Sequence, residues 1–86
     1  MANHLTLGIY DNGQYKYNVV REEDLEQHIE YNKLWRFGRL LYVDGVRVYN
    51  GCKKEEYLAE YDEIARKFYE DNKNKIDMWK PTIPYR

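Results

Sequence analysis

The chain alternates apolar and polar positions twice near its start, at Leu5-Thr6-Leu7-Gly8-Ile9 and again at Tyr15-Lys16-Tyr17-Asn18-Val19. Period-two alternation marks strands with one buried face, and the intervening Asp11-Asn12-Gly13 is a hairpin signal. A two-residue Asn12-Gly13 loop sets Lys16 opposite Ile9 and Asn18 opposite Leu7, mixing polar with apolar on one face. A three-residue loop with Gly13 left-handed pairs Ile9 with Tyr15, Leu7 with Tyr17 and Leu5 with Val19. Only the latter gives a uniform apolar face, so the pattern favours it.

The spacing then turns helical over residues 21–33, where Leu25, Ile29 and Asn32 recur at i, i+4 and i+7 with His28 alongside. The stripe is thin and predicts shallow burial. Gly38 is the expected terminator, between Arg36 and Arg39. Residues 39–50 form a second hairpin around Asp44-Gly45, a two-residue type I′ signal that sets Val43 opposite Val46 and Leu41 opposite Val48. Those aliphatic residues read as the inward side. The reverse side carries Leu40, Tyr42, Arg47 and Tyr49, too aromatic for ordinary wet surface.

Residues 53–74 carry the broadest helical stripe, formed by Tyr57, Leu58, Tyr61, Ile64, Ala65 and Phe68. Asp62 with Arg66 and Glu63 with Lys67 are expected i,i+4 pairs on its wet side. The final residues, from Met78 to Arg86, include Pro81 and Pro84 and therefore read as extended. Trp79, Ile83 and Tyr85 mark this tail as a strap docked on the domain or on a second copy. The pattern as a whole predicts an α+β fold of order ββαββα. Two hairpins join into one four-stranded antiparallel sheet, with both helices on a single face. Residues 1–76 make the domain and 77–86 the tail.

Composition sharpens this picture. Ten tyrosines in 86 residues exceed what so small a core buries with every hydroxyl satisfied, so some are expected at a recognition surface. One cysteine excludes an internal disulfide. Met1-Ala2-Asn3-His4 does not resemble a signal peptide, and no apolar run approaches the ~20 residues of a membrane span. A cytoplasmic location is the expectation. A net charge of −1 fits neither a dedicated DNA binder nor a nucleic-acid mimic. Glu22, Glu23, Asp24, Glu26 and Glu30 precede Lys33, Arg36 and Arg39, an order that complements a helix dipole. A partner-facing acidic patch is the alternative.

Little here suggests bond-making chemistry. Serine is absent, and no phosphate-binding glycine loop occurs. Asp24, His28 and Asn32 share a helical face but make a poor metal set. Cys52 precedes Lys53 and Lys54 at a helix start, which lowers a thiol pKa, yet no histidine lies near it in sequence. The expectation is a non-enzyme with no cofactor and no metal. Tyr42, Arg47 and Tyr49, with Arg36 and Arg39 beside them, are the candidate partner-binding residues, since Tyr and Arg dominate interface hot spots. The partner is a protein, and a homodimer is also expected. The alternative is single-stranded nucleic acid or a nucleotide stacking on that aromatic and basic sheet face, with Lys16 contributing.

His28-Ile29-Glu30-Tyr31-Asn32, Arg36-Phe37-Gly38-Arg39, Val43-Asp44-Gly45 and Tyr49-Asn50-Gly51 together resemble small uncharacterised proteins of tailed bacteriophages and prophages. The resemblance covers residues 28–51. It implies a phage product acting in the host cytoplasm as a non-catalytic inhibitor that occludes a host or defence macromolecule, of the anti-CRISPR or another anti-defence type. A virion or assembly component is the further alternative.

Overall fold

A computed structural model describes residues 4–11, 13–35, 39–51 and 58–81. Its elements follow the expected ββαββα order: β1 His4–Asp11, β2 Gln14–Arg21, α1 Leu25–Trp35, β3 Leu40–Val43, β4 Val46–Asn50 and α2 Leu58–Asn72. Short 3-10 turns at Glu22–Asp24 and Ile76–Met78 precede α1 and follow α2. The four strands form one antiparallel sheet of order β2-β1-β3-β4, an α+β fold. The hairpin strands β1 and β2 are neighbours, but the chain then passes from the β2 edge over β1 to reach β3.

That crossover decides where the helices lie. Leu25 and Ile29 of α1 pack on Leu7, Val20 and Leu41. Leu58, Tyr61 and Ala65 of α2 pack with Tyr10, Leu40 and Tyr42. Leu40 and Leu41 are adjacent in one strand and so point to opposite faces. The sheet therefore carries one helix on each side, not both on one face as the alternation had suggested. The physical reason is β3 itself: Leu40-Leu41-Tyr42 is buried throughout, and a strand apolar on both sides needs cover on both sides.

The same fact corrects the first register. β1 pairs with β2 through Asp11–Gln14, Ile9–Lys16, Leu7–Asn18 and Leu5–Val20. This is the two-residue loop, with Gly13 at φ 74. The three-residue loop would have gathered the tyrosines on the Leu5-Leu7-Ile9 face. Instead Tyr15, Tyr17 and Val19 join Thr6, Gly8 and Tyr10 on the α2 side, where a second core exists to receive them. Gly8 makes the room. It lies between Tyr17 and Tyr42 in the neighbouring strands, and a Cβ there would sit inside the Tyr15 phenol. Gly8→Ala is expected to lower stability by about 1–3 kcal/mol through this overpacking, read from the urea midpoint. A Tyr15→Leu background, which shortens the obstructing side chain, should recover part of that loss.

At the second hairpin Asp44 and Gly45 have φ of 49 and 81, and Val43 pairs with Val46 as expected. The Asp44 carboxylate accepts from the Thr6 backbone N–H at 2.9 Å and from its hydroxyl at 3.2 Å, while the Asp44 N–H donates to the Thr6 carbonyl at 3.0 Å. The turn is thereby tied to β1. Gly45 lies directly under α2, where a Cβ would meet Tyr69 Cβ at 3.0 Å and the Arg66 backbone at 3.2 Å. Beyond the turn the expectation fails. Tyr42 pairs with Arg47 but Leu41 pairs with Tyr49, so Val48 is an extra residue in β4. This β-bulge moves Tyr49 onto the α1 side and leaves Val48 half-exposed.

Both helices differ in detail from expectation. The first begins as a 3-10 turn, and its burial is not shallow: His28 and Asn32 are both buried beside Leu25 and Ile29. In α2, Asp62 reaches across to the sheet and Glu63 pairs with Arg66, in place of the two expected i,i+4 pairs. Ile64 stands at the margin of the stripe and remains exposed. The tail is not extended throughout. Ile76 is buried at the 3-10 turn, the His4 N–H donates to Asp77 at 3.4 Å, and extended backbone resumes at Trp79. Gly38, Cys52, Lys53, Lys54 and Tyr57 lie outside the described residues.

Candidate functional site

Tyr42 is fully buried beneath α2. Its hydroxyl donates to the Asp62 carboxylate at 2.8 Å, and the same carboxylate receives Arg47 at 3.3 Å. Burial, reinforced by the hydrogen bond to Asp62 and that residue's charge, pushes the Tyr42 phenol well above its ordinary value, with Arg47 opposing in part. Tyr42 is thus a core residue with a satisfied polar end and offers no ring to a partner. The side of this hairpin that had been read as open is covered by α2, while Leu41 on the other side is buried as expected, so both sides of β3 are covered. It is Val46 and Val48 that meet solvent, at 65% and 49% exposure.

The remaining expected anchors are scattered. Tyr49 is half-buried on the opposite face among the residues around Leu41, with the Lys33 ammonium 5.2 Å from its ring centroid. Arg39 is turned inward. Its guanidinium donates to Asp11 at 3.3 Å through both Nε and Nη2, and to the Asn32 amide oxygen. Asn32 in turn donates to the His28 carbonyl at 2.8 Å. These bonds join the first turn, α1 and the start of β3, and they engage the Asn32 oxygen that a metal would have needed. Arg36, Ile83 and Tyr85 lie outside the described residues. Tyr42, Arg47 and Tyr49 do not share one open sheet face, since Tyr42 is covered by α2 and Tyr49 is on the other side.

A different aromatic group does reach the surface. Tyr17 in β2 is 44% exposed. Its ring centroid is 4.4 Å from Phe68 of α2 and 5.6 Å from Trp79 of the tail. Phe68 also touches Tyr15 at 5.5 Å, and Tyr15 leads to Tyr10 at 5.9 Å, which stacks on Tyr61 at 3.9 Å. The exposed ring is therefore the outer end of a series of packed aromatic rings that reaches into the core. Ile64, one turn before Phe68, is exposed, and so is Met78, next to Trp79. Trp79 thus lies against Tyr17 of β2. The exposure of Tyr17 was not legible, because the expected register turned it inward on the covered face.

The core tyrosines carry a pH signature. Burial raises the Tyr15 phenol to about 12, and burial followed by the nearby Tyr61 and Glu60 raises Tyr10. Tyrosine in the unfolded chain titrates near 10. Folded-state values above that mean the unfolded state loses protons first, so stability is full below about pH 10 and falls as pH rises toward about 12. The expected result is a urea midpoint that declines over that window, and less steeply in Tyr15→Phe. Equal slopes in the two proteins would contradict the burial of this hydroxyl.

No family model matches the chain, and no curated protein or solved structure matches it.

Proposed function

We propose that the protein is a non-catalytic binding protein that occludes a partner macromolecule through the surface formed by Tyr17, Phe68 and Trp79. The observation that carries this reading is the half-exposed Tyr17 ring held between two further aromatic side chains. A stiff aromatic group backed by packed core, with exposed aliphatic neighbours, matches the composition of interface hot spots. Ring order in the free protein also limits the side-chain entropy lost on binding. In the setting implied by the resemblance of residues 28–51 to phage proteins, the partner is a host or defence protein in the cytoplasm, and binding it is inhibitory. Consistent with this setting, no helix among the described residues is long and apolar enough to cross a membrane.

The test compares capture by the tagged wild-type protein and by Tyr17→Ser from host lysate. The variant is expected to lose about 1 kcal/mol of stability with its ring contacts and to bind the captured partner about thirtyfold more weakly, the loss typical of a hot spot. Undiminished capture by Tyr17→Ser would overturn the assignment. Titration with a labelled single-stranded oligonucleotide at two salt concentrations distinguishes the nucleic-acid alternative. Binding that weakens steeply with salt would replace the protein partner with a phosphate backbone.

A further inference from the structure

We infer that the protein forms a two-fold dimer by pairing β4 with β4 of a second copy. Among the described residues the sheet ends in two edge strands, β2 and β4, with no further strand paired outside either. The β2 edge carries exposed Lys16 and Arg21, the usual guard against edge-to-edge pairing. The β4 edge carries exposed Val46 and Val48, and its one cation, Arg47, is answered by Asp62 at 3.3 Å in its own chain. Two copies therefore meet at this edge without an uncompensated like-charge pair.

The bulge selects the occupant. Arg47 and Val48 together oppose Tyr42, so the alternation of β4 skips one position. A regular strand laid along β4 falls out of phase with it, its side chains matched on one side of the bulge and mismatched on the other. A second bulged copy stays in phase, provided the two-fold axis passes between Arg47 and Val48. Val46 then faces Tyr49 of the other copy on the α1 side, and Arg47 faces Val48 of the other copy on the α2 side. The result is one continuous eight-stranded sheet. The Tyr17 surface lies near the opposite edge and stays free in both copies.

Light scattering across a concentration series is expected to give twice the 10.6 kDa chain mass. The register makes opposite predictions for two charges at one position. Val48→Lys sets an ammonium against the other copy's arginine and should raise the dimer dissociation constant at least tenfold. Val48→Glu sets a carboxylate there and should keep or tighten the dimer. Lys16→Glu at the other edge should change nothing, and Tyr17→Ser should lose capture while remaining dimeric. Far-UV circular dichroism on each variant confirms that the fold is retained. A wild-type protein that stays monomeric overturns the proposal, as does equal weakening by lysine and glutamate at position 48. A monomer whose host-protein capture is lost in Val48→Lys would assign the edge to a foreign strand and overturn it equally.

Discussion

Tyr42→Ala is expected to cost about 3–5 kcal/mol, the range for removing a buried aromatic ring, from a domain whose whole stability is roughly 5–15 kcal/mol. The ring fills the space between β3 and α2 with Tyr10, Leu40 and Ala65. Tyr42→Phe keeps the volume and loses only the bond to Asp62, whose carboxylate still holds Arg47. That variant should lose about 1 kcal/mol. Chemical denaturation of the two proteins reads the difference. A ring displayed for a partner would leave the alanine variant within about 0.5 kcal/mol of wild type.

Arg39→Ala should be comparably damaging, at about 3–5 kcal/mol, the loss expected when one partner of a largely buried ion pair is removed. The substitution leaves the Asp11 carboxylate and the Asn32 amide oxygen facing an interior that had been built around a guanidinium. It also frees the first turn from α1 and from the entry to β3. Arg39→Lys cannot reproduce the two-pronged contact with Asp11 and should recover only part of the loss. A double-mutant cycle with Asp11→Ala is expected to give a coupling of about 1–3 kcal/mol. A coupling near zero would mean that the two side chains are solvated separately and that Arg39 is available to a partner after all.

Element order was legible because it rests on local chemistry. Asn12-Gly13 and Asp44-Gly45 announce the hairpins, and the Leu58, Tyr61, Ala65, Phe68 spacing announces α2. Facing was not legible, because the alternation rule presumes one wet side. β1 obeys that rule only in appearance: Thr6, Gly8 and Tyr10 look like the wet side of Leu5, Leu7 and Ile9, yet all three are buried. The informative signal was the unbroken apolar run Leu40-Leu41-Tyr42-Val43, which calls for cover on both faces. It also fits a β2-α1-β3 crossover, in which α1 packs on one face and α2 must take the other. The bulge at Val48 had no local signal, since Val46-Arg47-Val48-Tyr49 alternates without interruption in sequence. It arises where Arg47 stays with Asp62 on one face while Tyr49 packs beside Leu41 on the other. The candidate site moved for the same reason. Tyrosine abundance correctly signalled a displayed aromatic, but which tyrosine is displayed depends on register and helix side, and both are tertiary.

The central claim is that α1 and α2 cover opposite faces of the sheet, with the Tyr42 ring sealed under α2. Proton–proton contacts measured by nuclear Overhauser spectroscopy test it most directly. The account predicts cross-peaks from the Tyr42 ring to the Ala65 methyl, and from the Leu41 methyls to Ile29, with none from Tyr42 to Ile29. A Tyr42 ring in contact with neither helix, or Leu40 and Leu41 both in contact with α2, would contradict it.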